Sequence, residues 1–223
     1  MVNINDDYKE NFLKLFLFVF YNINKYIFSR FYLLLLLVWT IFNFSNLMML
    51  LIFALFVFLS FSLSLEEVFH AAILIIQGRK DEVNSLCFNI LKIRKVKIIA
   101  IGVTMYFKGK ITENDILYIS LCGPLISLVV GIMASLIFVL VEIIMYNSFN
   151  SLLYLCRIVL LGFLFLPVTS FVPLNIGITE TDGYKILKIK RKFKIKNRSL
   201  LRASYNSLRY SISYIRYSIK RSN

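Results

Sequence analysis

From Leu47 to Ile76 the chain runs through an apolar stretch whose only ionisable residues are Glu66, Glu67 and His70. At about 1.5 Å rise per residue, a helix of that length exceeds the roughly 30 Å hydrocarbon core of a bilayer. The stretch must tilt, or its second half must project toward one membrane face. Three further apolar runs, about 28–44, 116–146 and 152–172, are long enough to cross with it. A chain that is 59% hydrophobic, with 21 Phe and only 3 Pro, is not composed like a water-soluble domain. The expected fold is an all-α membrane protein with about four transmembrane helices and no separate soluble domain.

The polar segments divide this plan. Residues 1–30 begin with NINDDYKEN, become apolar, and turn polar again at Lys25 and Arg30. An acidic start without a small-residue cleavage site argues against a signal peptide, and the segment reads as an interfacial helix. Ser45-Asn46 and Asn147–Ser151 read as short turns without Lys or Arg. The 77–115 loop alternates with period two over Phe88–Thr112, which predicts two or three strands with a turn near Gly109. It is too short for an inserted PDZ-type domain of roughly 80–100 residues. Domain organisation is therefore an N-terminal segment 1–30, a membrane core 31–187 and a basic tail 188–223.

The net charge of +14 is concentrated in the loop, the amino-terminal stretch and the tail. A basic balance fits nucleic acid in a soluble protein. In a chain this apolar, the positive-inside bias and anionic lipid headgroups account for it, and no nucleic-acid partner is expected. The same bias predicts a multi-pass integral membrane protein with both termini in the cytoplasm. In the tail, LRASYNS, LRYSISY and IRYSIKR repeat every seven residues. Leu201, Tyr205, Leu208, Ile212, Ile215 and Ile219 would form one helical stripe flanked by Arg202, Arg209 and Arg216. This predicts a basic amphipathic helix on the inner leaflet, three heptads being the minimum for a coiled coil. Cys87, Cys122 and Cys156 are scattered, with neither disulfide nor zinc-knuckle spacing.

Ionisable residues inside an apolar span point to function. Glu66 and His70 stand at i and i+4, so a helix presents them on one face, with Glu67 beside them. Two ligands at that spacing around an inner Glu form the geometry of the zinc-protease helix H-E-x-x-H. Here the string is E-E-V-F-H, and carboxylate oxygen is a competent metal ligand. His70 is the only histidine, so a third ligand must be Asp, Glu or Cys. Asp182 in TETDGYKIL is the candidate that the topology brings to the same depth. Gly183 after it suits a close backbone approach. Pro124, Pro167 and Pro173 loosen helices where a cavity could form.

At these residues the chain resembles the site-2 proteases, intramembrane zinc metalloproteases. E-E-V-F-H takes the place of H-E-x-x-H. G-P-L-I-S, with Gly123, Pro124 and Ser127, is similar to the family's G-P-x-x-N. S-F-V-P, with Ser170 and Pro173, followed by T-D-G at Thr181–Gly183, is similar to the N-x-x-P…D-G stretch. The resemblance spans about Ser64 to Leu187. It implies Glu67 as general base, His70 and Asp182 as metal ligands with Glu66 in the first ligand position, and one divalent metal, zinc first. It also implies cleavage of a membrane-embedded or membrane-adjacent peptide, as in minimal members without a PDZ domain, including those linked to peptide maturation. Glu66, Ser127 and Ser170 depart from the family pattern. They leave open an inactive protease-like protein acting as a peptide-binding, immunity or export partner. Ala71 and the lack of a second histidine argue against the CAAX-protease pattern E-E-x-x-x-R, and the few spans and the lack of a repeated half weaken a third reading, a small transporter.

Overall fold

A computed structural model describes residues 1–42, 45–93, 96–144, 150–175 and 180–222. After a two-residue strand β1 (Val2–Asn3) and a single turn α1 (Asp6–Lys9) comes α2 (Phe12–Ile23). A π-helical turn, Asn24–Phe28, joins α2 to α3 (Ser29–Phe42) without a break. The expected separation of an interfacial segment from the first span near residue 30 is therefore corrected: Phe12–Phe42 is one helix. The polar return at Lys25 does not interrupt it, because the asparagines just before Lys25 are satisfied within the helix. Asn22 Nδ2 donates to the Phe18 carbonyl at 2.8 Å. Asn24 Nδ2 donates to Phe20 O and to Ser60 Oγ, both at 2.9 Å, and so ties the wide turn to the next helix.

That next helix is α4 (Asn46–Ile76), capped by the Ser45 hydroxyl. It stops at Gly78, whose positive φ of 78° permits a Schellman ending. Gly78 N donates to Ile75 O at 3.1 Å and Arg79 N to Leu74 O at 2.9 Å. Two antiparallel strands follow, β2 (Val83–Ile93) and β3 (Val96–Phe107), in the sheet order β1-β2-β3. The expected turn at Gly109 is also corrected. The strands are joined between Ile93 and Val96, at residues outside those described, and Gly109 instead redirects the chain after β3. Arg94-Lys95 has no Gly, Asn or Pro to mark a hairpin.

α5 (Glu113–Ile144), α6 (Asn150–Phe171), α7 (Asp182–Lys192) and α8 (Asn197–Ser222) complete the fold. The expected turn at 147–151 lies outside the described residues except for Asn150 and Ser151, which begin α6. Helices Phe12–Phe42, Asn46–Ile76 and Glu113–Val141 are long and apolar enough to cross a membrane, and Leu160–Phe171 is a shorter apolar helix. The chain is therefore a mostly helical protein of membrane type with a small three-stranded sheet.

α4 changes character along its length. Leu47, Leu50 and Phe53 are exposed, as are Leu33 and Leu36 on α3 and Leu136 and Leu140 on α5, which suits lipid contact. From Ser64 to Ile75, α4 is buried on every side. It is enclosed there by α2, β3, α5 and α8, and Val83, Leu86, Val103 and Met105 of the sheet join its core. The loop expected to be a polar excursion thus packs onto the second half of α4.

The ends of this wrapped region are pinned by charge. Glu10 meets Lys80 Nζ at 2.8 Å and Arg221 Nη1 at 2.5 Å, linking the amino-terminal stretch, the α4–β2 connection and α8. These two partners lower the Glu10 carboxyl to about 2. Its contribution to stability is therefore present above the ordinary value of 4.5 and is lost as pH falls toward about 2. Glu10→Gln should remove that acid-sensitive component, seen as a smaller drop in melting temperature between pH 5 and pH 3 than in wild type, and the difference should fade in high salt.

Candidate metal centre

The middle of the buried half of α4 carries Glu66, Glu67 and His70, between 3% and 6% exposed. The helical period places Glu66 and His70 on one face, as their spacing predicts. Asp182 reaches them from the first turn of α7 and is 6% exposed. Two local features fix it there. Thr181 caps α7, accepting from Tyr184 N at 3.3 Å while its hydroxyl donates to Val172 O at 2.6 Å. Gly183 lies so close to the Phe171 carbonyl that any side chain would clash with backbone. α7 can start at this depth only because residue 183 has no Cβ.

One ligand atom each from Glu66, His70 and Asp182 lies within 4.8 Å of the other two. His70 Nε2 and Asp182 Oδ2 are 3.2 Å apart. Their geometry is not that of a hydrogen bond, and Nε2 has no hydrogen-bond partner among the described residues. Glu66 Oε2 is likewise buried and without a partner among the described residues. Such atoms are costly to bury unless something answers them. Bonds of roughly 2.0–2.2 Å in a tetrahedral site place ligand atoms about 3.4 Å apart, so the cluster fits a divalent cation with modest side-chain adjustment. N and O donors of this mix suit zinc and harder divalent ions.

Gly123 on α5 makes the room. A Cβ there would sit 2.6 Å from His70 Cδ2 and 2.8 Å from Glu66 Cγ. Pro124 is fully buried behind it within α5. Ser170 lines the same cavity, which measures about 260 Å³. Ser127 does not line it: its hydroxyl donates to Ser62 O at 3.4 Å and joins α5 to α4 one turn before Glu66. Pro173 is exposed in the α6–α7 connection, where it follows the end of α6.

Glu67 stands beside the three. Its Oε2 accepts from Met105 N of β3 at 2.8 Å and lies 3.7 Å from His70 Nδ1. This main-chain donor carries no side-chain signal and could not have been read from sequence. Lys185, one turn after Asp182, was also not singled out, although its i,i+3 spacing on a helix offered a signal. Its Nζ donates to Asp182 Oδ1 at 2.9 Å, leaving Oδ2 turned to His70. Burial works against the Lys185 charge, but the Asp182 carboxylate outweighs it and raises the ammonium above its ordinary value. Burial also favours a neutral Asp182, yet His70 and Lys185 hold that carboxyl well below the usual range.

The cavity opens into a groove of about 480 Å³ between β3, α5 and α7, floored by Phe107, Ile111, Ile116, Ile119 and Ile189. Lys185 and Met105 line both spaces. The chain matches no protein-family model, no curated protein and no solved structure. The class defined by this geometry is thus a membrane-type protein with a buried Glu–His–Asp cluster able to hold a divalent metal.

Gly123→Ala should push the His70 ring and Glu66 out of register. Overpacking of this kind costs about 1–3 kcal/mol. Displaced ligand geometry should lower zinc affinity by about tenfold or more. Metal content and a thermal melt of the purified variant check this, and unchanged zinc affinity would contradict the fit.

Proposed function

We propose that this chain is a metal-dependent intramembrane endopeptidase of the site-2 protease kind, acting on a membrane-embedded or membrane-adjacent peptide. The observation that carries the reading is the convergence of Glu66, His70 and Asp182 in one buried cavity with Glu67 alongside. The reading includes four spans, α6 being the fourth, with both termini and the sheet on the cytoplasmic side, as the distribution of Lys and Arg favours.

Glu66, His70 and Asp182 would hold one divalent ion, zinc first, supplying Lewis acidity to a water and to the scissile carbonyl. Glu67 takes the water's proton as general base and returns it to the leaving amine nitrogen. The Met105 N–H keeps one oxygen of Glu67 in place for this. Lys185 holds Asp182 with its second oxygen toward the site. Three carboxylates balanced by a dication and Lys185 make the cavity neutral, which suits its burial.

A helical peptide bond is shielded by its own hydrogen bonds, so the substrate must unwind before reaching the site. β3 offers a place for the unwound chain. It pairs with β2 on one side only among the described residues. Because Met105 N–H points to Glu67, the main-chain groups of Met105 and Val103 both face away from β2. An extended peptide could add to that edge beside the general base. The second reading, a protease-like protein that binds peptides without cutting, is favoured by the carboxylate at 66 in place of an imidazole.

Metal analysis and product detection separate the two. Wild type should carry one equivalent of zinc, and His70→Ala should lose it. Glu67→Gln should keep the metal while releasing peptides from host membranes about 10²–10⁴-fold more slowly, as judged by mass spectrometry. Equal cleavage by Glu67→Gln rules out the mechanism. Bound zinc with no cleavage by wild type assigns the binding role.

A further inference from the structure

The outward face of α8 carries Leu201, Tyr205, Ile212, Ile215 and Ile219, which are 72%, 67%, 50%, 36% and 57% exposed. Leu208, expected in the same stripe, is instead partly buried against the core, so it is the other five residues that are not what attaches the helix to the protein. Attachment runs through the opposite face. There Ala203, Ser207, Ser211, Tyr214 and Ser218 are all buried. Ser211 Oγ and Cys122 Sγ are 2.8 Å apart, and Ser207 Oγ donates to Tyr118 O at 3.3 Å. Ser218 Oγ accepts from Phe12 N at 3.0 Å, and Tyr214 OH donates to Lys9 O at 3.2 Å. Tyr214 is fully buried in the core with Tyr210 and Tyr217 packed against it, and the small serines on the same face let the backbones approach closely.

The exposed stripe is flanked by Arg202, Arg209, Arg216 and Lys220, all exposed, and no acidic residue occurs after Asp182. It also lies beside other apolar surface. Through Phe12, α8 touches α2, whose Leu13, Leu17 and Tyr21 face outward at 60%, 53% and 62%. α2 begins the candidate span Phe12–Phe42. The helix that carries the stripe is thus packed against a helix with surface suited to acyl chains.

We propose that α8 is a two-sided helix, clamped to the protein by its serine face and docked by its apolar–arginine face on an anionic bilayer surface. Its isoleucines enter the boundary of the acyl region and its arginines meet the anionic headgroups. Charge favours this occupant over a second copy of the chain, because pairing two such faces would oppose arginine to arginine with no acid on α8 to neutralise them. The serine face of the same helix covers Cys122, the neighbour of Gly123, so the docked element also backs the wall of the metal centre. The proposal does not depend on proteolysis.

The test uses the full chain in nanodiscs, one copy per disc, with Ile212→Trp introduced in a Trp39→Phe background. The probes are phosphatidylcholine discs with or without phosphatidylglycerol, each containing bromine-labelled lipid that quenches tryptophan on contact. Quenching should be strong in the anionic discs, weak in the zwitterionic discs, and reduced by high salt. Adding Arg209→Gln and Arg216→Gln, both on the exposed face, should lower the docked-to-undocked ratio by about 30-fold in the anionic discs, at roughly 1 kcal/mol per basic residue. Equal quenching in the two lipids, or none in either, overturns the proposal. An emission shift that appears only in discs holding two copies overturns it too and assigns the face to self-association.

Discussion

Three carboxylates and an imidazole are buried around one cavity with a half-buried ammonium beside them, and the desolvation of those charges governs how the rest is built. A buried ion costs several kcal/mol unless it is answered. Asp182 is answered by Lys185 and faces His70, and Glu67 is answered by the Met105 amide. Glu66 Oε2 and His70 Nε2 are left facing the same space. The partners come from α4, β3 and α7, so none of these charges is tolerable until three separate segments have assembled.

The scaffold meets that demand with close approaches rather than with bulk. Gly123 lets α5 lie against the charged face of α4, and Gly183 lets α7 begin against the end of α6. α8 closes the other side of α5 through serines. Lipid offers apolar side chains no better partner than another helix would, so small residues and hydrogen bonds decide which helices meet. Leu201, Tyr205, Ile212, Ile215 and Ile219 of α8 and the exposed residues of α4 are thereby left free to face the surroundings.

Much of the fold was legible because its signals are local. The apolar run from Leu47 to Ile76 is α4 to within a residue at its start, and the alternation read over Phe88–Thr112 does form strands, which begin earlier at Val83 and end at Phe107. The misplaced boundaries share one cause. Lys25 and Arg30 marked a polar break, but the asparagines just before Lys25, Asn22 and Asn24, bond carbonyls of their own helix and the chain continues through them. Gly109 looked like the hairpin turn because glycine favours turns, whereas the strands join beside Arg94-Lys95, where nothing local marks a turn. In the site, Glu66 and His70 could be paired from spacing. Asp182 required topology, and Ser127 and Pro173 were grouped with the site although neither lines the cavity.

The set of long apolar helices and the face on which Glu66 and His70 stand together are written in the order of residues alone. Both follow from hydrophobic content and the 3.6-residue period, which act along the chain and need no partner. Only the tertiary structure decided that Lys185 grips Asp182, that a backbone amide of β3 holds Glu67, and that the apolar stripe of α8 faces outward. Those outcomes depend on which surfaces approach closely enough to exclude everything else, and that is a property of packing between segments remote in sequence.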